Sequence, residues 1–419
     1  MKLKRKIATL LILATLTTTF VACDKNSSNN LENTPPDYNN SITKEDESTL
    51  KNENNTTNET ESIVPTPKPE PEPKTYTVDL VAVGDNLIHT GIISAGKNSD
   101  GTYNYDFMYE NITNEISQAD IKIINQETMF IKDPSQYSGY PTFGSPYQIG
   151  DAIIKAGFNV VTHATNHTYD KGATGVLNTT SYWKEHPEVL MTGVYDSQES
   201  HDTISIMEVN NIKIAFLNYT YGLNGLRVPE DKKYFVNTLY DEDKIKSDLS
   251  KANELADFVI VLPHWGTEYV YEPTEYQISW ARVFVENGAD LIIGTHPHVV
   301  EPLDFILKED GTEVPCYFSL GNYISAQDQV PRMLGAMAKV TIEMTEGQEA
   351  KIVSATMEPT VTHISSDRKI YTTYMLKDYT EELASDHYLN KKGKKVSINI
   401  LQELYDSIIV NYSDLWLTP

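Results

Sequence analysis

“DFVIVLPHWGTE” (257–268) and “DLIIGTHPH” (290–298) each join a short apolar run to an end that carries histidine. Near-continuous apolar runs of this length are typical of strands that are buried on both faces of a sheet. Helical patterns at 147–157 and 275–289 separate several such runs, which predicts an α/β fold. The same arrangement occurs in three earlier segments, “VDLVAVGD” (78–85), “IKIINQE” (121–127) and “FNVVTHATNH” (158–167).

These runs end in side chains that bind metal ions or transfer protons. In layered α/β folds the ligand site lies at the carboxyl ends of the strands, so the ends are expected to converge. In an extended chain residues i and i+2 share a face, and His296 and His298 are therefore expected to point into one pocket. Two hydrogen-bonded loop histidines are the alternative. The other side chains at equivalent strand ends are Asp85, Glu127, Asn166, His167 and His264.

The donor types restrict the metal. Imidazole combined with carboxylate and amide oxygen, and without thiolate, favours Mn²⁺, Fe or Zn²⁺ over a structural cysteine-rich zinc site. A single catalytic zinc ion usually takes about three protein ligands. The larger number of candidate donors in this chain therefore predicts two divalent metal ions.

The chain is strongly acidic, with 34 Lys and Arg against 59 Asp and Glu and a formal net charge of −25. Nucleic acid is therefore not expected as a partner, because phosphate backbones need a basic surface. An acidic polymer would need a metal ion or a local basic patch in order to bind. Of the 2 cysteines, Cys316 is expected to be a buried apolar residue without a disulfide.

The chain begins with MKLKRKIATLLILATLTTTFVAC, a basic start followed by an apolar stretch that is short for a membrane span. The small residue before Cys23 resembles the lipobox of bacterial lipoproteins, in which this cysteine is acylated. Simple cleavage and an uncleaved anchor are the alternatives. We expect a lipoprotein-type signal peptide at 1–23 and a disordered tether rich in Pro, Glu and Asn at 24–75. The protein is then extracytoplasmic, anchored to the outer face of the bacterial cell membrane.

Six ordered motifs connect these segments to a known family: G-D, N-x-E, N-H, H-W-G-x-E, G-x-H-P-H and S-L-G-N. This order resembles the CapA family of bacterial capsule or poly-γ-glutamate biosynthesis proteins, which is related to the calcineurin-like metallophosphoesterases. The resemblance covers about residues 77–360 and implies a four-layer αββα sandwich with two mixed sheets. We also expect a domain at 76–360 and a C-terminal extension at 361–419 that packs on this domain, because the pattern at 400–416 is that of an amphipathic helix.

The resemblance assigns roles by position. Asp85 matches the first metal-binding aspartate, Glu127 matches the position that bridges two metal ions, and Asn166 matches an amide ligand. His167 matches the imidazole that lies over the reacting group, which makes it the candidate acid for a leaving group. The S-L-G-N segment at 319–322 would be a loop near the same rim. The remaining histidine ligands correspond to His264, His296 and His298.

Two positions depart from the pattern of the phosphoesterases that the chain resembles. Those enzymes have D-x-H at the first strand, and an aspartate bridges their two metal ions. Here three residues separate Asp85 from His89, so His89 is either a metal ligand or a residue behind the ligands or toward solvent. Glu127 is one methylene longer than aspartate. Glu268 is interpreted as a base in an amide hydrolysis or as a carboxylate that orients His264, with a solvated loop glutamate as the alternative.

The resemblance implies a cell-surface role in making, exporting or anchoring a capsular polymer such as poly-γ-glutamate. One hypothesis is a dinuclear metal hydrolase that acts on a phosphoester or an amide of the polymer. The alternative is a non-catalytic component that binds the polymer through its metal and holds it near the export machinery. The expected partners are this anionic polymer, the membrane through lipidated Cys23, and membrane proteins of a capsule synthetase.

Overall fold

The computed structural model describes residues 72–409. The predicted signal peptide at 1–23 and most of the predicted tether at 24–75 lie outside the described residues, as do residues 410–419. Within 72–409, none of the helices combines the length and the apolar character that crossing a membrane requires.

The strands and α-helices of the described residues are numbered in chain order. The strands are β1 (Thr75–Asn86), β2 (Ile121–Asn125), β3 (Val160–Thr162), β4 (Leu190–Thr192), β5 (Ser205–Val209), β6 (Ile212–Thr220), β7 (Phe258–His264), β8 (Leu291–Ile293), β9 (Leu303–Leu307), β10 (Glu313–Tyr317), β11 (Asn322–Ile324), β12 (Leu334–Thr345), β13 (Lys351–Ile364) and β14 (Tyr371–Met375). The helices are α1 (Thr90–Ala95), α2 (Thr113–Ser117), α3 (Gln148–Ala156), α4 (Gly172–Lys184), α5 (Gln198–Asp202), α6 (Glu242–Leu255), α7 (Glu275–Glu286), α8 (Glu381–Asp386), α9 (Tyr388–Lys391) and α10 (Ile398–Ile409).

The strands form two mixed sheets. The first has the order β14-β13-β12-β1-β2-β3-β4, with β11 paired to β1. In it β1 to β4 run parallel, whereas β12, β13 and β14 pair antiparallel. The second has the order β5-β6-β7-β8-β10-β9, in which β6, β7, β8 and β10 are parallel and the outermost strands are antiparallel. The five apolar runs noted in the sequence become β1, β2 and β3 of the first sheet and β7 and β8 of the second.

The two sheets pack face to face, and helices cover their outer sides. One face of β6, with Ile214 and Phe216, belongs to the same core cluster as the residues of β1 and β2. The opposite face, with Ala215 and Leu217, belongs to a second cluster with α6 and α7. This alternation is the period-two pattern of a strand that is buried on both faces. Residues of α2 and α3 join the first cluster, so the predicted α/β sandwich with two mixed sheets is confirmed.

The chain after residue 360 continues the first sheet. β13 runs across this predicted boundary, and β14 pairs beside it. α10 then buries Leu401, Tyr405 and Ile408 in the first core cluster. The described part of the C-terminal segment therefore completes a sheet edge and covers part of the core.

Gly84 allows β1 to approach the segment before β11 closely. A Cβ atom at this position would lie 1.9 Å from the carbonyl oxygen of Gly321, where no side chain fits. The same oxygen accepts a hydrogen bond of 2.9 Å from the Asp85 N–H. The glycine of the G-D motif is therefore required for the backbone path that carries the Asp85 carboxylate.

Candidate metal centre

Strand ends from both sheets meet at the candidate site. In the first sheet Asp85 of β1 lies opposite Asn125 of β2 and Asn322 of β11. In the second sheet His264 is the last residue of β7. The two sides join where His264 Nε2 lies 3.0 Å from Asn166 Oδ1. The structure therefore brings these predicted strand ends together.

Glu127 lies between the histidines of this group. Its side chain is fully buried, and neither carboxylate oxygen has a hydrogen-bond partner among residues 72–409. Oε1 lies 3.8 Å from Nε2 of His264, 3.8 Å from Nε2 of His298 and 3.9 Å from Nε2 of His167. These distances are too long for hydrogen bonds. A buried carboxylate without partners is strongly unfavourable, and a cation between these atoms would remove that cost.

Asp85 is also fully buried, and each of its two carboxylate oxygens contacts a side chain of the site. Oδ1 accepts a hydrogen bond of 2.8 Å from Asn125 Nδ2, and Oδ2 lies 3.0 Å from His298 Nδ1. Asn322 Oδ1 lies 3.1 Å from the same imidazole nitrogen. The His298 ring is therefore held between the carboxylates of Asp85 and Glu127.

His264 is fixed through both ring nitrogens. Nδ1 lies 2.9 Å from Thr295 Oγ1, while Nε2 faces the Asn166 amide oxygen. Burial lowers the pKa of His264 well below its ordinary value, and the neighbouring His296 and His298 lower it further. The ring is therefore neutral, which is the form that coordinates a metal ion.

His296 and His298 are close for a different reason than predicted. Their ring centroids are 5.9 Å apart, but φ is +105° at His296 and +58° at His298. The segment is therefore a turn, and the prediction of an extended i, i+2 pair was wrong. The His296 N–H donates to Asp85 Oδ2 at 3.3 Å, and its buried Nδ1 has no partner among the described residues. Left-handed backbone at residues other than glycine persists where the surrounding structure holds it. Here the Asp85 carboxylate holds the turn by accepting the hydrogen bond from the His296 N–H.

The charged groups of the site act on one another. Burial raises the pKa of Glu127 well above its ordinary value, against the opposing effect of His298. Burial alone would lower the pKa of His298, but Glu127 and Asp85 overcome it and raise the pKa to about 9. A proton on His298 thus partly neutralises the two carboxylates. A divalent cation would displace this proton, because metal binding requires ionised carboxylate and neutral imidazole.

His167 is oriented by a residue that follows it closely. Its Nδ1 lies 2.7 Å from Asp170 Oδ2, and this contact favours the tautomer that carries its hydrogen on Nδ1, because a carboxylate oxygen accepts hydrogen bonds. The Phe143 N–H also donates to Asp170 Oδ2 at 2.7 Å, and the Phe143 ring lies 4.6 Å from the imidazole. These contacts leave Nε2 of His167 directed at the site.

His89 lies at the margin of the site. Its Nδ1 lies 3.3 Å from the Ala326 nitrogen and 3.1 Å from the Leu87 carbonyl oxygen. Burial lowers the pKa of His89 to about 4, and the nearby His298 and His167 also lower it. Among the described residues no contact joins His89 to either central carboxylate, so its role as a ligand stays a prediction.

Glu268 is exposed at the mouth of the site. Its negative charge raises the pKa of Glu127 and of His298. It forms a side-chain hydrogen bond with Tyr269. Within residues 72–409 no hydrogen bond connects it to His264, the ring that it was suggested to orient. Its assignment as a catalytic base stays a prediction.

Sequence reasoning missed three side chains that orient the candidate ligands. Asn125 stands two residues before Glu127 in the N-x-E motif and bonds the Asp85 carboxylate. Asp170 follows His167 by three residues, a spacing that brings side chains together in one turn. The third is Asn322, the last residue of the S-L-G-N motif. The N-x-E and S-L-G-N motifs therefore contained a usable signal for Asn125 and Asn322, whereas the signal for Asp170 was its spacing from His167.

The residues present fit a divalent cation. Donor atoms of Asp85, Glu127 and His298 all lie within 4.8 Å of one another, and all three side chains are buried. Two ligands of one ion, each about 2.1 Å from it, lie about 3 to 4 Å apart. The distances around Glu127 Oε1 fall in this range.

The family of the chain follows from a comparison with known families. The family model described as “Bacterial capsule synthesis protein PGA_cap” matches residues 79–327. The chain belongs to this family. The predicted resemblance is confirmed, and the matched range includes every predicted site residue from Asp85 to His298.

Two curated relatives and one solved structure are similar to this chain over part of their length. The chain is 33% identical over 171 residues to the “PGA biosynthesis protein CapA” of Bacillus subtilis (strain 168), which is 41% of this chain and 43% of that protein. It is 27% identical over 233 residues to the “Capsule biosynthesis protein CapA” of Bacillus anthracis, which is 54% of this chain and 55% of that protein. The chain thus spans about half the length of these two relatives. The solved Haemophilus influenzae NAD nucleotidase has a TM-score of 0.42 at 13% identity, covering 80% of this chain and 67% of that chain.

Proposed function

We propose that this PGA_cap protein is a metal-dependent hydrolase with two divalent ions, Mn, Fe or Zn, that acts on a phosphoester or amide during synthesis of an anionic capsule polymer. The observation that supports it is the buried Glu127 carboxylate, which has no hydrogen-bond partner among the described residues and faces three imidazoles. When bound, a divalent ion makes water acidic enough to act as a nucleophile at neutral pH and polarises the attacked group. The proposed metal-holding residues are Asp85, Glu127, Asn166, His264, His296 and His298.

The proposed roles of the other residues follow from their hydrogen bonds. Asp170 holds the Nδ1 hydrogen of His167, so Nε2 is the nitrogen that gives a proton to the leaving group. The attacking water loses one proton to solvent, its oxygen forms the new bond to phosphorus or carbon, and the P–O or C–N bond breaks as the leaving atom takes the proton of His167. Asn125 and Asn322 hold Asp85 and His298 in position through this change.

The hydrolase proposal is tested with the purified full-length chain. We expect elemental analysis to find about two divalent ions per chain. We also expect the Mn²⁺- or Zn²⁺-loaded protein to hydrolyse bis(p-nitrophenyl) phosphate or poly-γ-glutamate, with activity lost on chelation and restored by adding the metal back. Absence of bound metal would contradict the proposal. Metal and polymer binding without turnover of any substrate would instead favour the non-catalytic binding role.

We also propose that the protein is exported and anchored to the outer face of the cell membrane by a lipid on Cys23. The basic and apolar character of residues 1–22 supports this. The chain has 2 cysteines, which provides a matched control. Cys23→Ala is expected to move the protein from the membrane fraction to the soluble fraction, whereas Cys316→Ala, in the core, is expected to stay with the membrane. Unchanged membrane retention of the Cys23 variant would contradict the anchor.

A further inference from the structure

Three side chains form a stack that leads outward from the candidate metal centre. The Tyr269 ring centroid lies 6.0 Å from that of His298, and the Arg332 guanidinium carbon lies 3.5 Å from the Tyr269 ring centroid. We propose that Arg332 is a specificity-determining residue that binds a carboxylate of an anionic polymer and sets the position of the chain over the metal centre. This inference rests on the proposed function, and it deepens that proposal by naming the group that recognises the substrate.

Both members of the outer stack are fixed to the histidine turn. The Tyr269 N–H donates to the Pro297 carbonyl oxygen at 2.8 Å, between the two histidines of the turn. Tyr269 itself has a φ of +68°. This left-handed backbone conformation is uncommon for a residue with a side chain and persists where the surrounding structure holds it. The Arg332 carbonyl oxygen accepts a hydrogen bond of 3.0 Å from Asn322 Nδ2, and Asn322 also contacts His298. The guanidinium is therefore placed relative to the ligands in advance of binding.

The Arg332 guanidinium is available to a ligand. It is partly exposed, and within residues 72–409 it makes no hydrogen bond and has no carboxylate oxygen within 4.0 Å. Several other cations of the described residues are paired, for example Lys339 with Glu358 at 2.7 Å. Stacking on Tyr269 occupies one face of the guanidinium plane and leaves the N–H groups at its edge free.

Charge determines which ligand class suits this position. The chain carries a formal net charge of −25, so an anionic polymer is repelled by most of its surface. The Arg332 guanidinium, which has no carboxylate oxygen within 4.0 Å among residues 72–409, provides a local attraction at the mouth of the site. Its planar fork matches a carboxylate or phosphoryl group through two parallel hydrogen bonds. A polymer with one carboxylate in each repeat can place one group on Arg332 while another part of the chain lies over the metal centre.

The test measures binding, separately from turnover. Affinity for a γ-linked glutamate oligomer, for its uncharged methyl ester and for inorganic phosphate is measured by calorimetry with the full-length, metal-loaded chain. Arg332→Ala is expected to weaken binding of the free-acid oligomer by about 10-fold or more and to change binding of the ester less than about twofold. Arg332→Lys is expected to recover part of the loss, because it keeps the charge without the planar fork. Arg282→Ala, which removes an exposed arginine of α7, is the matched control and is expected to bind as the wild type does.

The outcomes separate this inference from the hydrolase proposal. Equal affinity of Arg332→Ala and Arg282→Ala for the free-acid oligomer would overturn the role of Arg332. An equal loss for acid and ester would also overturn it, since that pattern indicates a structural effect. A selective loss for phosphate alone would show that the site takes a small phosphoryl anion and would overturn the polymer assignment. If the oligomer binds through Arg332 but no substrate is turned over, the inference is supported and the hydrolase proposal fails.

Discussion

Replacing Glu127 by glutamine is expected to reduce the divalent metal affinity of the protein by about 100-fold or more. The change removes one negative charge and one donor oxygen from a side chain whose Oε1 atom lies 3.8 Å from two imidazole nitrogens. The amide is nearly the same size as the carboxylate, so packing is preserved. Elemental analysis after dialysis, and competition with a chelator, measure the effect.

The stability of the Glu127→Gln variant should depend much less on metal than that of the wild type. Without metal, the wild type carries a buried carboxylate that lacks partners among the described residues, so the chelated variant is expected to be at least as stable as the chelated wild type. With metal at about 1,000 times the wild-type Kd, the wild type gains about 4 kcal/mol of unfolding free energy, whereas a variant that binds metal about 100-fold more weakly gains about 1.4 kcal/mol. Thermal unfolding with Mn²⁺ and with a chelator compares the two.

Glu301→Gln is the matched control for this prediction. Glu301 is also fully buried, burial also raises its pKa, and its Oε1 also lacks a partner among residues 72–409. Its Oε2 accepts a hydrogen bond of 2.6 Å from Gln277, and it has no contact with the candidate ligands among the described residues. The control is therefore expected to keep its metal. Equal metal loss in both variants, or wild-type metal content in Glu127→Gln, would show that the assignment of Glu127 is wrong.

Replacing His167 by alanine is expected to lower kcat by about 10²- to 10⁴-fold while the metal content is unchanged. Nε2 of this ring is the group that we expect to protonate the leaving atom, since Nδ1 is held by Asp170. The loss should be large for a substrate with a poor leaving group and small for a p-nitrophenyl ester, because a good leaving group needs little help from an acid. Steady-state kinetics with both substrates measures this difference.

His186→Ala is the matched control for this second prediction. His186 is a partly exposed histidine whose Nδ1 lies 3.3 Å from Glu188 Oε1, a pair that is separate from the site. Its kinetics should equal those of the wild type. If the His167 variant loses metal in proportion to activity, the ring is a metal ligand and not the acid. An equal loss on good and poor leaving groups would also contradict the assignment.

Strand positions could be predicted because they follow from contiguous residues. The apolar runs that precede Asp85 and His264 became β1 and β7 with the expected polar ends. The helical periods at 147–157 and 275–289 became α3 and α7. Alternation and helical period depend on the chain itself, so they can be interpreted without knowing its neighbours. The motif order predicted the family for the same reason.

The geometry at His298 could not be predicted in this way. Its Nδ1 contacts Asp85, which lies 213 residues earlier in the chain, and Asn322, which lies 24 residues later. The turn that carries it has left-handed backbone that the pattern G-x-H-P-H did not indicate. Contacts between distant segments hold this conformation, so a local pattern does not contain it.

The sequence by itself determined the α/β class, the strands, the donor chemistry at their ends and the family. Only the tertiary structure decided that three of these strands lie in one sheet and two in the other, with Glu127 between histidines from different segments. It also decided that Arg332 stacks on Tyr269 beside that group. The physical reason is that apolar periodicity acts along the chain, whereas the meeting of strand ends depends on how the buried faces of two sheets pack across one core.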